Sequence, residues 1–102
     1  MALFKSIRSA TAATTATAVG TPLNPGAIIG QAVVLYNDTA AGNTVVVKAL
    51  ANDAATWIPV ATITTVAGGG AVFLNGPFLD LRGDVTVHGT TSTIAVDIFA
   101  QG

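Results

Sequence analysis

The strongest constraint in the chain is a parity. Across residues 79–88, Leu79, Leu81, Val85 and Val87 fall on one parity, with Gly83 keeping the phase, while Asp80, Arg82, Asp84, Thr86 and His88 fall on the other. Successive side chains of an extended chain point to opposite faces, so this alternation predicts a half-buried antiparallel strand with a polar outer face. Gly89-Thr90-Thr91-Ser92 supplies a turn, and Ile94, Val96 and Ile98 resume the apolar parity against Asp97. The expectation is that these two strands pair as a hairpin.

The preceding sequence has the same grain. An apolar run at residues 30–36 ends at the turn formers Asn37-Asp38, and Ala40-Ala41-Gly42-Asn43 continues the turn. Residues 44–50 form a second run with Val45, Val46 and Val47 in series, which predicts burial on both faces or a face covered by a partner. Asn52-Asp53-Ala54-Ala55 is the next turn. Residues 57–66 are a third strand, which Pro59 places at an edge or a bulge because proline cannot donate to a ladder. Gly68-Gly69-Gly70 is a corner, residues 71–74 a short strand and Asn75-Gly76-Pro77 another turn. Strands recurring every 8–12 residues or so, with turn signals between them and no helical period, predict an all-β fold: a small antiparallel β-sandwich or jelly roll.

Residues 1–25 differ from the rest. Residues 9–17 are almost pure Ala and Thr, too small to build a core, and Thr21-Pro22 and Asn24-Pro25 favour extended backbone. Ala16-Thr17-Ala18 has the spacing of a signal-peptide cleavage site, but Thr11, Thr14, Thr15 and Thr17 interrupt the apolar stretch that such a peptide needs. The expected division is an extended N-terminal arm, residues 1–25, and a β-sandwich domain, residues 26–102. The arm is expected to lie against the body or, preferentially, a neighbouring subunit. Residues 1–8 carry a charge of +2 against −3 on the remainder, a basic arm on an acidic body.

Of the 102 residues, 51% are hydrophobic and only 9% charged, with a net charge of −1. Few charges and near-zero net charge favour association, so the composition predicts an assembly. No apolar run of about 18 residues is present to form a membrane-spanning helix. Clustered Lys and Arg, which a nucleic-acid interface needs, are missing.

No catalytic, cofactor or metal residues are assigned from the sequence. His88, with Ser92 and Asp97 nearby, reads as a solvent-facing strand histidine rather than part of a triad. Asp80, Arg82 and Asp84 read as an exposed ion pair on one strand face. Arg82-Gly83-Asp84 spells an integrin-ligand tripeptide but falls within a strand, whereas recognition wants a loop tip. Gly68-Gly69-Gly70 lacks the Lys-Ser/Thr of a phosphate loop, and Asn37-Asp38-Thr39 matches the N-glycosylation pattern. Trp57, Tyr36, Phe73, Phe78 and Phe99 could form a sugar-stacking platform, with Trp57 the best placed.

Thr56-Trp57-Ile58-Pro59-Val60, the glycine corner, Gly76-Pro77-Phe78-Leu79-Asp80-Leu81-Arg82, Val85-Thr86-Val87 and residues 91–98 follow one another in an order with a parallel elsewhere. Over residues 43–99 the chain resembles the small Ala/Thr/Gly/Val-rich β-sandwich proteins of tailed-bacteriophage particles, particularly capsid decoration (cement) proteins. The resemblance implies a virion protein on the outer capsid surface, commonly a homotrimer, that clamps neighbouring major capsid protein subunits. It carries no catalytic residues and no cofactor. On this reading the partner contacts are placed at Phe4, Lys5 and Arg8 of the arm and at Trp57, and removing the arm would abolish shell binding while leaving the sandwich folded. Other readings are a tail, baseplate or fibre component, and a carbohydrate-binding or adhesin module using Trp57.

Overall fold

Every strand expected from the sequence is present, and one more precedes them. The computed structural model describes residues 3–102, with side chains from Lys5 onward. Its strands are β1 (Leu3–Ala12), β2 (Ile29–Asp38), β3 (Thr44–Leu50), β4 (Trp57–Thr64), β5 (Gly70–Phe78), β6 (Leu81–Val87) and β7 (Ile94–Gln101). No helix occurs among the described residues. Two antiparallel sheets face each other, ordered β1-β7-β2-β5 and β4-β3-β6. The fold is an all-β sandwich. Ala18 bridges Val85, which sets an extended segment beside β6. With that segment in place of an eighth strand, the strand order is that of a jelly roll.

The core comes from the inward parity of each strand. Val45 and Val47 of β3, Leu81 and Val85 of β6, Val34 of β2 and Ile94, Val96 and Ile98 of β7 are almost wholly withdrawn from solvent. Pro59 lies on the edge strand β4, beside a bulge where Val47 pairs Ala61 but Lys48 pairs Pro59, so the ladder loses nothing to the missing N–H. The β3–β4 turn is held by Asp53, which accepts from the backbone N–H of Ala55 and Thr56.

The expected division at residue 25 does not separate a free arm from the sandwich. β1 is an edge strand of the first sheet, paired to β7 along its length. The chain then turns and runs along the free edge of β6, with Ala18 and Val85 exchanging both backbone hydrogen bonds and Leu23 N–H donating to Leu81. Leu23 is fully buried. Low-complexity sequence is ordered here because its backbone completes another strand's ladder and one leucine reaches the core.

Three further expectations are corrected, and each has a structural cause. β6 and β7 do not form a hairpin, because they belong to opposite sheets and the chain between them crosses the sandwich. Asn75-Gly76-Pro77 is not a turn but lies within β5. There Ile29 pairs Phe78 and Gln31 pairs Asn75, so β5 carries an extra residue and bulges. The polar parity of β6 does not face water: Asp80, Asp84 and His88 are buried, while Val87 is exposed. A bulge explains the last two, since Val45 pairs Val85 but Thr44 pairs Val87. The extra residue reverses the parity, turning Val87 out and His88 in.

Removing residues 1–25 takes away β1 and Leu23 together. The shortened chain should therefore lose its cooperative thermal transition, followed by circular dichroism. Leu23→Ala in the full chain should cost about 2–5 kcal/mol in a denaturant titration.

Candidate functional site

The outer face of the β1-β7-β2-β5 sheet carries the most exposed large hydrophobic side chain among the described residues, Phe73. Strand register places its residues in rows. Phe73, Val33, Phe99 and Ser6 form one row, flanked on one side by Asn75, Gln31 and Gln101 and on the other by Ala71, Leu35, Asp97 and Arg8. Phe73 is 80% exposed, an extreme value for a phenyl ring. Phe73 and Phe99 flank Val33 two strand spacings apart, about 9.5 Å. Between them runs a groove of about 340 Å³. Its polar end is ordered, because Gln101 Nε2 donates to Gln31 Oε1 at 2.9 Å.

The residues assigned to partner contact do not meet on one surface. The side chain of Phe4 lies outside the described residues. Lys5 Nζ donates to the Asn24 carbonyl at 2.7 Å and so clamps the returning segment to β1. Arg8 forms a forked pair with Asp97 on the outer face, the next row to the phenylalanines. Trp57 lies on the opposite sheet, with the Arg82 guanidinium stacked 4.7 Å from its ring centre. In the notation of sugar platforms, Phe73 and Phe99 share a face and Trp57 does not join them. Phe99 shares the parity of Asp97, and Phe73 stands between the inward Val72 and Leu74, so both positions carried a sequence signal.

Beside Trp57, the expected exposed ion pair is a buried one. Asp84 is 3% exposed and accepts from the backbone N–H of Gly20 at 2.7 Å, with Lys48 Nζ 3.0 Å away and Arg82 also in range. Asp80 accepts from the N–H of Leu81 and of Asn24. Both carboxylates therefore satisfy backbone donors of the returning segment. The same burial removes Arg82-Gly83-Asp84 from any loop tip.

His88, expected to face solvent, is buried between the returning segment and the β6–β7 connection. Its Nδ1 lies 2.8 Å from the Ala16 carbonyl, which can only accept, so Nδ1 carries the proton and Nε2 faces Ser92 Oγ at 3.3 Å. Asp97 takes no part. Ser92 Oγ contacts Thr90 Oγ1, which accepts from Asn43 Nδ2, and Asn43 Nδ2 also donates to the buried Asp38. Thr65 Oγ1 donates to Asp38 as well. A serine closed off in this way joins loops rather than meeting a substrate. Burial pushes the Asp38 carboxyl up, but hydrogen bonds from Asn43, Thr65 and the Ala40 N–H outweigh it and hold the group at about 2.

No protein-family model matches the chain, and no curated protein matches it in sequence.

The Asp38 network makes stability depend on pH. Its folded value lies below the usual 3.8, so its contribution is complete above about pH 4 and is lost as pH falls toward about 2. Asp53 acts in the same direction, held at about 2 by the Thr56 hydroxyl and then by the N–H groups of Thr56 and Ala55. Urea unfolding between pH 7 and pH 2 should show stability falling across that window. Asp38→Asn should flatten the fall and lower the neutral-pH stability by about 1–3 kcal/mol.

Proposed function

We propose that this chain is a structural virion protein, a capsid decoration or cement protein that associates with itself and docks on the outer shell, stabilising contacts between major capsid protein subunits. The observation that carries the reading is the asymmetry of the sandwich. One side is closed by residues 18–23. On the other side, β4 and β5 are edge strands with no partner among the described residues. Ile58, Val60 and Val66 are exposed there, and Val72, Leu74 and Phe78 of β5 are only half-buried although they pack against the core.

An uncharged, apolar strand edge is a template for pairing with another chain, and proteins blunt such edges with charge, proline or bulges. Here neither β4 nor β5 contains a charged residue, and the proline and bulge in each interrupt the edge only locally, at residues 59–60 and 76–77. Jelly rolls recur in viral capsids, which supports the reading as a likeness of fold. The contact surface in this proposal is the open β4/β5 side rather than the N-terminal arm, because residues 3–25 are committed to their own sandwich. A trimer built through these edges would place an apolar seam between copies and leave the outer face of the β4-β3-β6 sheet free for the shell.

Light scattering of the full chain should give the mass of an oligomer, a trimer in this reading. An Ile58→Lys/Val60→Lys variant should stay folded and fall to a monomer. A wild-type monomer at every concentration would overturn self-association. Added to purified shells of the parent particle, the protein should appear as density on the outer surface; density confined to the tail would make it a tail component instead.

A further inference from the structure

We infer that the groove between Phe73 and Phe99 is a binding site for a neutral saccharide. The inference does not depend on where the chain sits in a particle, and it concerns the outer face of the β1-β7-β2-β5 sheet rather than the open strand edges.

The walls and the rim of the groove ask for different chemistry. Phe73, Val33 and Phe99 line the groove with two phenyl rings and an aliphatic side chain between them, on strands about 9.5 Å apart, and its volume of about 340 Å³ admits one ring-sized ligand. An aromatic face carries partial negative charge. The C–H bonds of a sugar ring, polarised by the neighbouring oxygens, present partial positive charge over one flat side of the ring. That side can stack on a phenyl face, while the hydroxyls project from the ring edge and need hydrogen-bond partners.

The rim supplies those partners in an ordered pattern. The Gln101 Nε2 to Gln31 Oε1 hydrogen bond uses one donor of Gln101 and one acceptor site of Gln31. It leaves the Gln31 amide N–H groups as donors beside the Gln101 carbonyl oxygen as acceptor, with no other described residue bonded to either. An adjacent donor and acceptor match a pair of neighbouring hydroxyls, one oxygen accepting from Gln31 and the other hydroxyl donating to Gln101. Asn75 lies across Gln31 in the same row and extends the amide edge.

Charge decides against other ligands. No ionised group lines the groove, and the nearest pair, Arg8 and Asp97, is engaged with itself in another row. A phosphorylated ligand, a uronic acid or a nucleic acid finds no counter-charge there. A lipid chain or an apolar peptide would satisfy the phenyl rings but bury the three amides without partners, a desolvation cost that hydroxyls avoid. A groove this small and open implies weak binding per site, with dissociation constants on the order of 1 mM, so repetition of the subunit in an assembly would raise the effective affinity.

The test is to present the full chain to an array of neutral and acidic oligosaccharides, then to titrate any neutral ligand found into the isotope-labelled protein. The side-chain amide resonances of Gln31, Asn75 and Gln101 should shift. Phe73→Ala removes a side chain that is mostly in water, so the fold should be unchanged by circular dichroism while binding weakens at least tenfold. Gln31→Ala should weaken it similarly, and Trp57→Ala should leave it unaltered. No neutral ligand on the array, binding that survives Phe73→Ala, or binding to acidic glycans alone would each overturn the proposal. Loss of an oligomer on Phe73→Ala without any glycan binding would also overturn it, and would assign the face to a protein contact.

Discussion

The architecture depends on one join, where residues 18–23 close the gap between the edges of the two sheets. Its centre is Ser9. Between Arg8, paired with Asp97, and Ala10, paired with Val96, Ser9 is an extra residue on β1, and the bulge turns its hydroxyl inward beside Ala10. That hydroxyl donates to the Thr21 carbonyl and accepts from Gly83 N–H at 2.8 Å, tying β1, the returning segment and β6 through a single oxygen. Two glycines make room. A Cβ on Gly20 would stand 2.1 Å from the Gly83 carbonyl oxygen, and one on Gly83 would meet Val96 at 2.7 Å. Asp84 and Asp80 then neutralise the backbone donors of the segment, so a tract with almost no side-chain bulk is fixed by polar contacts at its edges.

That join also explains how far the sequence could be read. The positions of β2, β3, β4 and β7 follow from apolar runs and turn formers, and Pro59 announces an edge or a bulge, of which β4 has both. What the sequence conceals is the covering of an outer face. Alternation at residues 79–88 shows which side chains share a face, but not that residues 18–23 will lie along that strand and withdraw Asp80 and Asp84 from water. A parity count also holds only while no residue is extra. The bulges near Val85 and at Gly76-Pro77 each shift the phase by one, which reverses Val87 and His88 and makes a strand interior resemble a turn. The groove was partly legible: the outward parity of Phe99 and Gln101 follows Asp97, but setting Phe73 beside them requires knowing that β2 lies between β5 and β7.

The low charge of the chain has a related physical reading. Buried Asp38, Asp80 and Asp84 spend three of the five acidic side chains on holding loops and edges, and Lys48 and Arg82 are drawn to Asp84. Little charge remains to keep copies apart. A surface of small apolar and neutral polar groups suits permanent company, where contacts are made once and kept, better than free diffusion.

The position of β7 has a consequence for how the molecule is made. This strand, the seventh in chain order, lies between β1 and β2, which touch each other only through it. Until β7 has been synthesised, the first sheet is a slot with two facing edges, each bearing unpaired backbone groups and the apolar lining of the eventual core. Closure of this sheet therefore waits for β7, and that long-range pairing is slow compared with local hairpin formation. An open slot has the same shape for a second copy's β7 as for its own, so the speed of this closure sets how long the chain is exposed to a wrong partner.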